Sequence, residues 1–325
     1  MISLPEPGFD RQPFPSQNAF MKRILRLLLS ALIALLPAVV SAAEGRIVVA
    51  SKIDTEGALL GNMIVSLLEG HGLAIENKLQ LGPTNIVRAA ILAGQIDIYP
   101  EYTGNGALFF HLEQDPVWKD WAKGAAKVAA LDREKNHLVW LAAAPANNTW
   151  TIALRQDLAE RHGLKTMDDL AKYLASGGAI KLAASAEFVE SPAALPAFET
   201  TYGFRLNDAQ LLTLSGGNTS ATLRAAAEGT SGVNAAMAYG TDGALAALGL
   251  TALEDDKAAQ VVYAPAPVVR ESMLQQHPEI AALLDPVFAT LTLETLQQLN
   301  AKIAVEGEDA GAVAVAYLKS KHFLP

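Results

Sequence analysis

The strongest constraint on this chain is a pattern that occurs twice. In the first copy Arg88-Ala89-Ala90 lies in a helical stretch closed by Gly94. An apolar run of Ile96, Ile98 and Tyr99 follows, and Glu101-Tyr102-Thr103-Gly104-Asn105-Gly106 leads into a new helix. In the second, Arg224-Ala225-Ala226 and Gly229 precede Ala238-Tyr239-Gly240-Thr241-Asp242-Gly243. Tyr102 and Tyr239 stand 137 residues apart, as do Gly106 and Gly243, while the arginines stand 136 apart. Helix, glycine, strand, tyrosine loop and helix, read twice, describe two α/β lobes of similar plan. Alanine-rich helices align easily, so the pattern speaks for similar lobes and not for a duplication. Ligands of open α/β sheets sit beyond the carboxyl ends of strands, where each lobe here places a tyrosine. If the lobes face each other, both rings meet in one cleft. Pro100 lacks a backbone donor and is expected to stop the first strand, leaving Glu101-Tyr102-Thr103 as an exposed turn.

A length of 325 residues, 51% of them hydrophobic, allows two domains with ample core. The net charge of −9 gives no reason to expect nucleic-acid binding. Met21-Lys22-Arg23 precede an apolar run over 24–36 that ends at Pro37, and Val40-Ser41-Ala42 and Ser41-Ala42-Ala43 offer small residues for cleavage. Basic start, short apolar run and small-residue site make 21–42 a secretory signal peptide, with the mature chain starting at Ala43 or Glu44. The run is short for a spanning helix. Residues 1–20, polar and proline-containing, are expected to be a misassigned extension before a true start at Met21. With no cysteine there is neither a disulfide nor a lipid anchor, so the product is expected free in a periplasm.

Along the chain, 46–51 reads as a buried strand and Asp54 or Thr55 as the cap of the next helix. That helix carries apolar residues at Leu59, Leu60, Met63, Ile64, Leu67 and Leu68, on one face. Lys52, between strand and helix, would offer an anionic group a cation beside free N–H groups; alternatively it is a solvated loop lysine. Residues 107–135 read as helix, with Trp118 and Trp121 as core. Asn147-Asn148-Thr149-Trp150, just before the strand 151–154, is a polar and aromatic cluster about where the chain would cross between lobes. The expected division is 43–148 for the first lobe, 149–240 for the second and 241–325 for a return to the first. Gly216-Gly217 before the helix of Arg224 is a weak phosphate-loop signal. Residues 263–270, with two prolines, read as a stiff crossing segment, and 279–320 as two amphipathic helices.

The six histidines are scattered, so no metal site is expected. There is no Gly-x-Ser-x-Gly elbow, Walker loop or strand-anchored Gly-x-Gly-x-x-Gly, and no cofactor is implied. Asp54, Glu56, Asp97 and Glu101 more simply cap helices or solvate loops than pair for acid–base work, which leaves a secreted hydrolase as the lesser reading. Aromatic loops at a lobe junction suit a solute binder. Ring faces attract a cation, and a quaternary ammonium offers no hydrogen bond to replace that attraction. Lys52 with the amides of Asn148 or Asn105 would meet a carboxylate at the other end, as in a zwitterion such as glycine betaine. An amino-acid binder would want an arginine fork, and Arg88 and Arg224 read as solvent-exposed.

Ala50-Ser51-Lys52-Ile53-Asp54-Thr55-Glu56, Tyr99-Pro100-Glu101-Tyr102-Thr103-Gly104, Asn147-Asn148-Thr149 and Tyr239-Gly240-Thr241-Asp242 resemble the glycine betaine/choline-type substrate-binding proteins of ABC importers, from residue 46 onward. The resemblance implies an α/β, two-lobed type II periplasmic-binding fold with a hinge of two crossovers that closes on the ligand. It implies an aromatic cage on Tyr102, Trp150, Tyr239 and Tyr263. The ligand-binding set expected on all these grounds is Lys52, Tyr102, Asn105, Asn148, Trp150, Tyr239, Thr241 and Tyr263. The implied partners are an inner-membrane permease with its cytoplasmic ATPase, and the chain itself is expected to be a monomer and not an enzyme. Asn105 stands where the family commonly has threonine and Trp150 where it has tyrosine. Ser191-Pro192-Ala193-Ala194 lacks the arginine and Asp-Gly often found in that loop, so one carboxylate clamp would be missing. Choline or an amino acid in the same fold is the alternative ligand.

Overall fold

Two five-stranded sheets organise the chain. In chain order the strands are β1 Ile47–Lys52, β2 Ile75–Gly82, β3 Ile98–Tyr102, β4 Leu138–Trp140, β5 Trp150–Arg155, β6 Leu182–Ser185, β7 Leu211–Leu214, β8 Ala235–Tyr239, β9 Leu250–Ala252 and β10 Pro265–Arg270. The computed structural model describes residues 45–214 and 219–324. The expected extension, signal peptide and cleavage site, and the Gly216-Gly217 pair, lie outside these residues.

The first sheet runs β2-β1-β3-β10-β4 and the second β7-β6-β8-β5-β9. In each, the first three strands are parallel and the last two join antiparallel. Position for position, β2 matches β7, β1 matches β6 and β3 matches β8. The antiparallel strand beside them is β10 in one sheet and β5 in the other, each arriving along the chain from the opposite sheet. The lobes are thus built alike and joined by two crossovers, before β5 and before β10. The crossovers lie side by side: the Asn148 amide donates to the Tyr263 carbonyl at 3.0 Å, and Tyr263 N–H donates to Asn147 Oδ1 at 2.8 Å.

The first core forms around helix Thr55–Gly70. Asp54 caps it, accepting from Gly57 N–H at 2.7 Å, and all six of the expected apolar side chains are buried. Burying side chains of that size contributes about 2 kcal/mol each, before entropy is charged. Ile280, Leu284, Phe288, Leu296, Val313 and Leu318 of the C-terminal helices complete this core. The second core gathers Ile152, Leu154, Leu182, Phe188, Phe198 and Met237.

Several expectations are corrected. β3 does not stop at Pro100 but runs through it, and Pro100 faces Pro267 of β10. Two residues without N–H groups can oppose each other at a non-hydrogen-bonded position, where the ladder needs no donor from either. Glu101 and Tyr102 are consequently buried strand residues and not an exposed turn. The helix expected over 107–135 is Asn105–Phe109, a 3-10 turn Pro116–Lys119 and Trp121–Asn136, because Pro116 and the Asp115 and Asp120 caps each restart it. Trp118 is core, whereas Trp121 is 42% exposed. The tail holds three helices, Glu279–Ala289, Leu293–Ala304 and Ala310–Ser320. The return to the first lobe does not begin at 241, since β9 pairs with β5 in the second sheet and the chain comes back only with β10. Arg88 is also not solvent-exposed: it is buried and forked onto Asp132, while Arg224 is exposed.

Candidate functional site

Strand ends of both sheets and the two crossovers enclose a cavity of about 660 Å³. All eight expected residues stand on its wall: Lys52, Tyr102 and Asn105 from the first lobe, Asn148 and Tyr263 from the crossovers, Trp150 and Tyr239 from the second sheet, and Thr241 just beyond it.

On the first-lobe wall the side chains are tied to one another. Glu101 Oε1 accepts from the Lys52 ammonium, from Tyr102 N–H at 2.7 Å and from Asn105 Nδ2 at 2.7 Å. The same ammonium stands 4.5 Å from the centre of the Tyr102 ring. Tyr102 Oη donates to Glu56 Oε1 at 2.8 Å, and Asn148 Nδ2 donates to that oxygen at 3.2 Å. Asn300 Nδ2 donates to Glu56 Oε2 at 2.7 Å and to the Thr241 carbonyl at 3.0 Å. Burial raises the Glu56 carboxyl above its ordinary value, while hydrogen bonds from Thr241, Tyr102 and Asn300 act the other way. Burial also lifts the Tyr102 phenol well above its usual value, and the nearby Glu56 charge adds to this. Lys52 is therefore not a solvated loop lysine, and it does not reach the cavity as an unpaired cation.

The second-lobe wall is built differently. Trp150 and Tyr239 are direct partners across β5 and β8, so their side chains project to the same face. The rings are nearly parallel, 20° apart with centres 6.4 Å apart, and Phe188 meets Trp150 edge-on at 6.0 Å. Both rings are half-buried. Asp242 Oδ2 accepts from Tyr239 N–H at 2.7 Å and Oδ1 from Thr219 Oγ1 at 3.0 Å. With no cation among these partners, burial pushes the Asp242 carboxyl up to about 6. Burial likewise raises the phenols of Tyr239 and Tyr263.

Three residues that line the cleft, and Glu101 buried behind it, are not among those expected to build it. Glu56 and Glu101, expected to cap helices or solvate loops, organise the first-lobe wall. Asp242, just past the end of its strand, secures the Tyr239 backbone. Asn300 lies in a helix 244 residues from Glu56. Its one local signal is Gly243, opposite it: a Cβ there would stand 2.1 Å from the Ala301 backbone nitrogen, so only glycine lets this helix close on the cleft.

Among the described residues the cavity wall carries one basic side chain, Lys52, and four carboxylates, Asp54, Glu56, Glu187 and Asp242. With Lys52 matched by Glu101, the enclosed field favours a cation. Buried polar atoms without partners also collect here, at Asn148 Oδ1, Trp150 Nε1 and Asn300 Oδ1. Such atoms are unusual in a finished core and suit a wall that meets a guest. Open aromatic faces with negative charge around them can hold a quaternary ammonium, which no hydrogen bond could hold.

Known proteins resemble the chain over the same span. The family described as the substrate binding domain of ABC-type glycine betaine transport system matches residues 45–320. The glycine betaine-binding protein YehZ of Escherichia coli (strain K12) is 59% identical over 273 residues, covering 84% of this chain and 90% of that protein. A glycine-betaine-binding protein of Pseudomonas aeruginosa is 32% identical over 310 residues, covering 94% and 96%. The solved structure of apo YehZ from Escherichia coli matches with a TM-score of 0.79 and 61% identity, over 86% of this chain and 99% of that one. A glycine betaine/carnitine/choline ABC transporter structure, 22% identical with a TM-score of 0.75 over 85% and 99%, shares the fold.

Proposed function

We propose a function from one premise: the chain belongs to the family of substrate-binding domains of ABC-type glycine betaine transport systems. It binds glycine betaine, or a closely related quaternary-ammonium solute, and hands it to a membrane permease driven by an ATPase. It works in the periplasm after loss of its signal peptide, as a monomer and without catalysing a reaction.

The observation that carries this reading is the paired aromatic face of Trp150 and Tyr239, set in a cavity with an excess of carboxylates. The trimethylammonium head packs on these rings with Tyr263 beside them. Tyr102 closes the cage from the first lobe, and Asn105, Asn148 and Thr241 supply polar contacts. Asn148 and Tyr263 stand on the crossovers, so their positions change with hinge closure, and the ligand favours the closed form by touching both lobes. Choline is the second reading, favoured by the same excess of carboxylates, because it brings positive charge without a carboxylate.

Thermal unfolding with glycine betaine, choline and a panel of amino acids tests the reading. A ligand present at a hundred times its Kd stabilises by about 2.7 kcal/mol. Glycine betaine should raise the midpoint and the amino acids should not. A shift with amino acids alone would contradict the proposal.

A further inference from the structure

The chain passes between the lobes twice, and the helix Leu293–Ala304 joins them a third time without a chain connection. Leu296 and Leu299 root this helix in the first core. Gln297, Asn300, Ala301 and Ala304 recur at three- and four-residue spacing on an adjacent face. That face follows the second-lobe loop that begins directly after Tyr239. Gln297 Nε2 donates to the Gly240 carbonyl at 2.7 Å, and Asn300 Nδ2 donates to the Thr241 carbonyl at 3.0 Å. At Gly243 a Cβ would stand 2.4 Å from the Asn300 carbonyl carbon, so loop and helix backbones are in direct contact. Asn300 Nδ2 also donates to Glu56 Oε2, which ties the loop to the first-lobe wall through one amide. The loop in turn grips Tyr239: Asp242 accepts from its N–H at 2.7 Å and donates its own amide to its carbonyl at 3.1 Å.

We propose that Gln297 and Asn300 are positioning residues for ligand binding: from the first lobe they hold the loop after Tyr239, and so set the angle between the lobes before a ligand arrives. This rests on reading the cleft as the ligand site. Two crossovers lying side by side form a hinge, about which the lobes are free to rotate. A further contact, running along the helix from Gly240 to Gly243, restrains that rotation. Because Trp150 pairs with Tyr239 across β5 and β8, the restraint reaches both rings of the second-lobe wall. A protein that already populates the binding-competent angle gives up less of its intrinsic affinity to closure. The helix thereby contributes to affinity through the loop, and Gln297, which is not on the cavity wall, does so without touching the ligand.

The test pairs a distance measurement with calorimetry of glycine betaine on Gln297→Ala. The chain has no cysteine, so Glu134→Cys and Ala175→Cys accept one spin label each. Both positions are exposed, the first on the helix Trp121–Asn136 of the first lobe and the second on Met167–Ala175 of the second. Without ligand, Gln297→Ala should widen the label–label distance distribution, and saturating glycine betaine should narrow it to that of the wild type. Its affinity for glycine betaine should fall roughly fivefold, the worth of one hydrogen bond between the lobes. Gln298→Ala is the control for helix propensity: Gln298 is exposed and bonds only to Glu294 of its own helix, so neither readout should move. Tighter binding by Gln297→Ala would mean that the helix resists closure, and would overturn the proposal. An unchanged distribution would overturn it equally, as would a wider one with unchanged affinity, which would make the contact merely structural. If the wild type binds no glycine betaine, the ligand reading falls, while the label distances still decide whether the helix sets the angle between the lobes.

Discussion

Set side by side, the two lobes solve one local problem in two ways. Each ends its third parallel strand on a tyrosine, and each fixes that tyrosine's backbone N–H with a carboxylate oxygen at 2.7 Å. In the first lobe the carboxylate is Glu101, one residue before, and it brings Lys52 with it. In the second it is Asp242, three residues after, with Thr219 as partner and, among the described residues, no cation. Tyr102 ends up 6% exposed and bonded through its hydroxyl, whereas Tyr239 stays half-buried with a broad face toward Trp150. One topology therefore yields a stiff, polar wall and an open, aromatic one. A binding cleft has use for both, because a rigid wall fixes position and an open face accepts the guest.

The comparison breaks most visibly at the arginines. Arg88 is forked onto buried Asp132, which Asn136 and Trp140 also contact, while its counterpart Arg224 is exposed. Arg88→Ala leaves a buried carboxylate short of its cation and should destabilise by about 3 kcal/mol or more. Arg224→Ala should stay within about 0.5 kcal/mol of the wild type. Urea unfolding of both variants measures the difference, and equal losses would mean that the lobes are not stabilised as described.

Next in size is the pH dependence from Asp242. Its carboxyl, at about 6 in the fold against 3.8 ordinarily, takes up a proton more readily when folded. Its contribution is therefore fully present below 3.8 and is lost as pH rises through 6, a change of up to about 3 kcal/mol. Asp242→Asn removes the titration. The stability of the variant relative to wild type should climb between pH 4 and 6 and then level off. A difference that is flat with pH would place the group in solvent.

Smaller again is the direct contact with the ligand. A desolvated cation–π contact is worth roughly 2 kcal/mol, with tryptophan the strongest partner. Trp150→Ala should thus weaken glycine betaine by at least about thirtyfold. Tyr102→Phe keeps the ring and loses only the bond to Glu56, which retains Asn148 and Asn300 as donors. Its effect should be about 1 kcal/mol of stability with little change in affinity. Calorimetry on the two variants ranks the walls, and a larger affinity loss from Tyr102→Phe would reverse the assignment.

Much of this was legible in the residues themselves. The doubled helix–glycine–strand–tyrosine pattern is local, and so it survives translation into two sheets of the same strand order. The cleft residues were legible because strand ends and crossovers are where polar and aromatic side chains cluster without a core to explain them. The role of Glu56 is not legible locally, because the groups that make its burial tolerable come from 46, 92 and 244 residues away. The place of Pro100 inside a strand depends on Pro267 opposite, a pairing that propensity cannot show. β9, inside the segment expected to return to the first lobe, joins the second sheet, and its three residues carry too little pattern to state which sheet they join.

Charge recognition by the aromatic wall is best tested by comparing glycine betaine with 3,3-dimethylbutanoate, which keeps the tert-butyl shape and the carboxylate and loses the positive charge. Calorimetry of both on the wild-type protein should show glycine betaine binding at least about thirtyfold more tightly, the worth of one desolvated cation–π contact. Equal affinities would mean that the cleft recognises shape alone, and the assignment of a quaternary-ammonium ligand would fall.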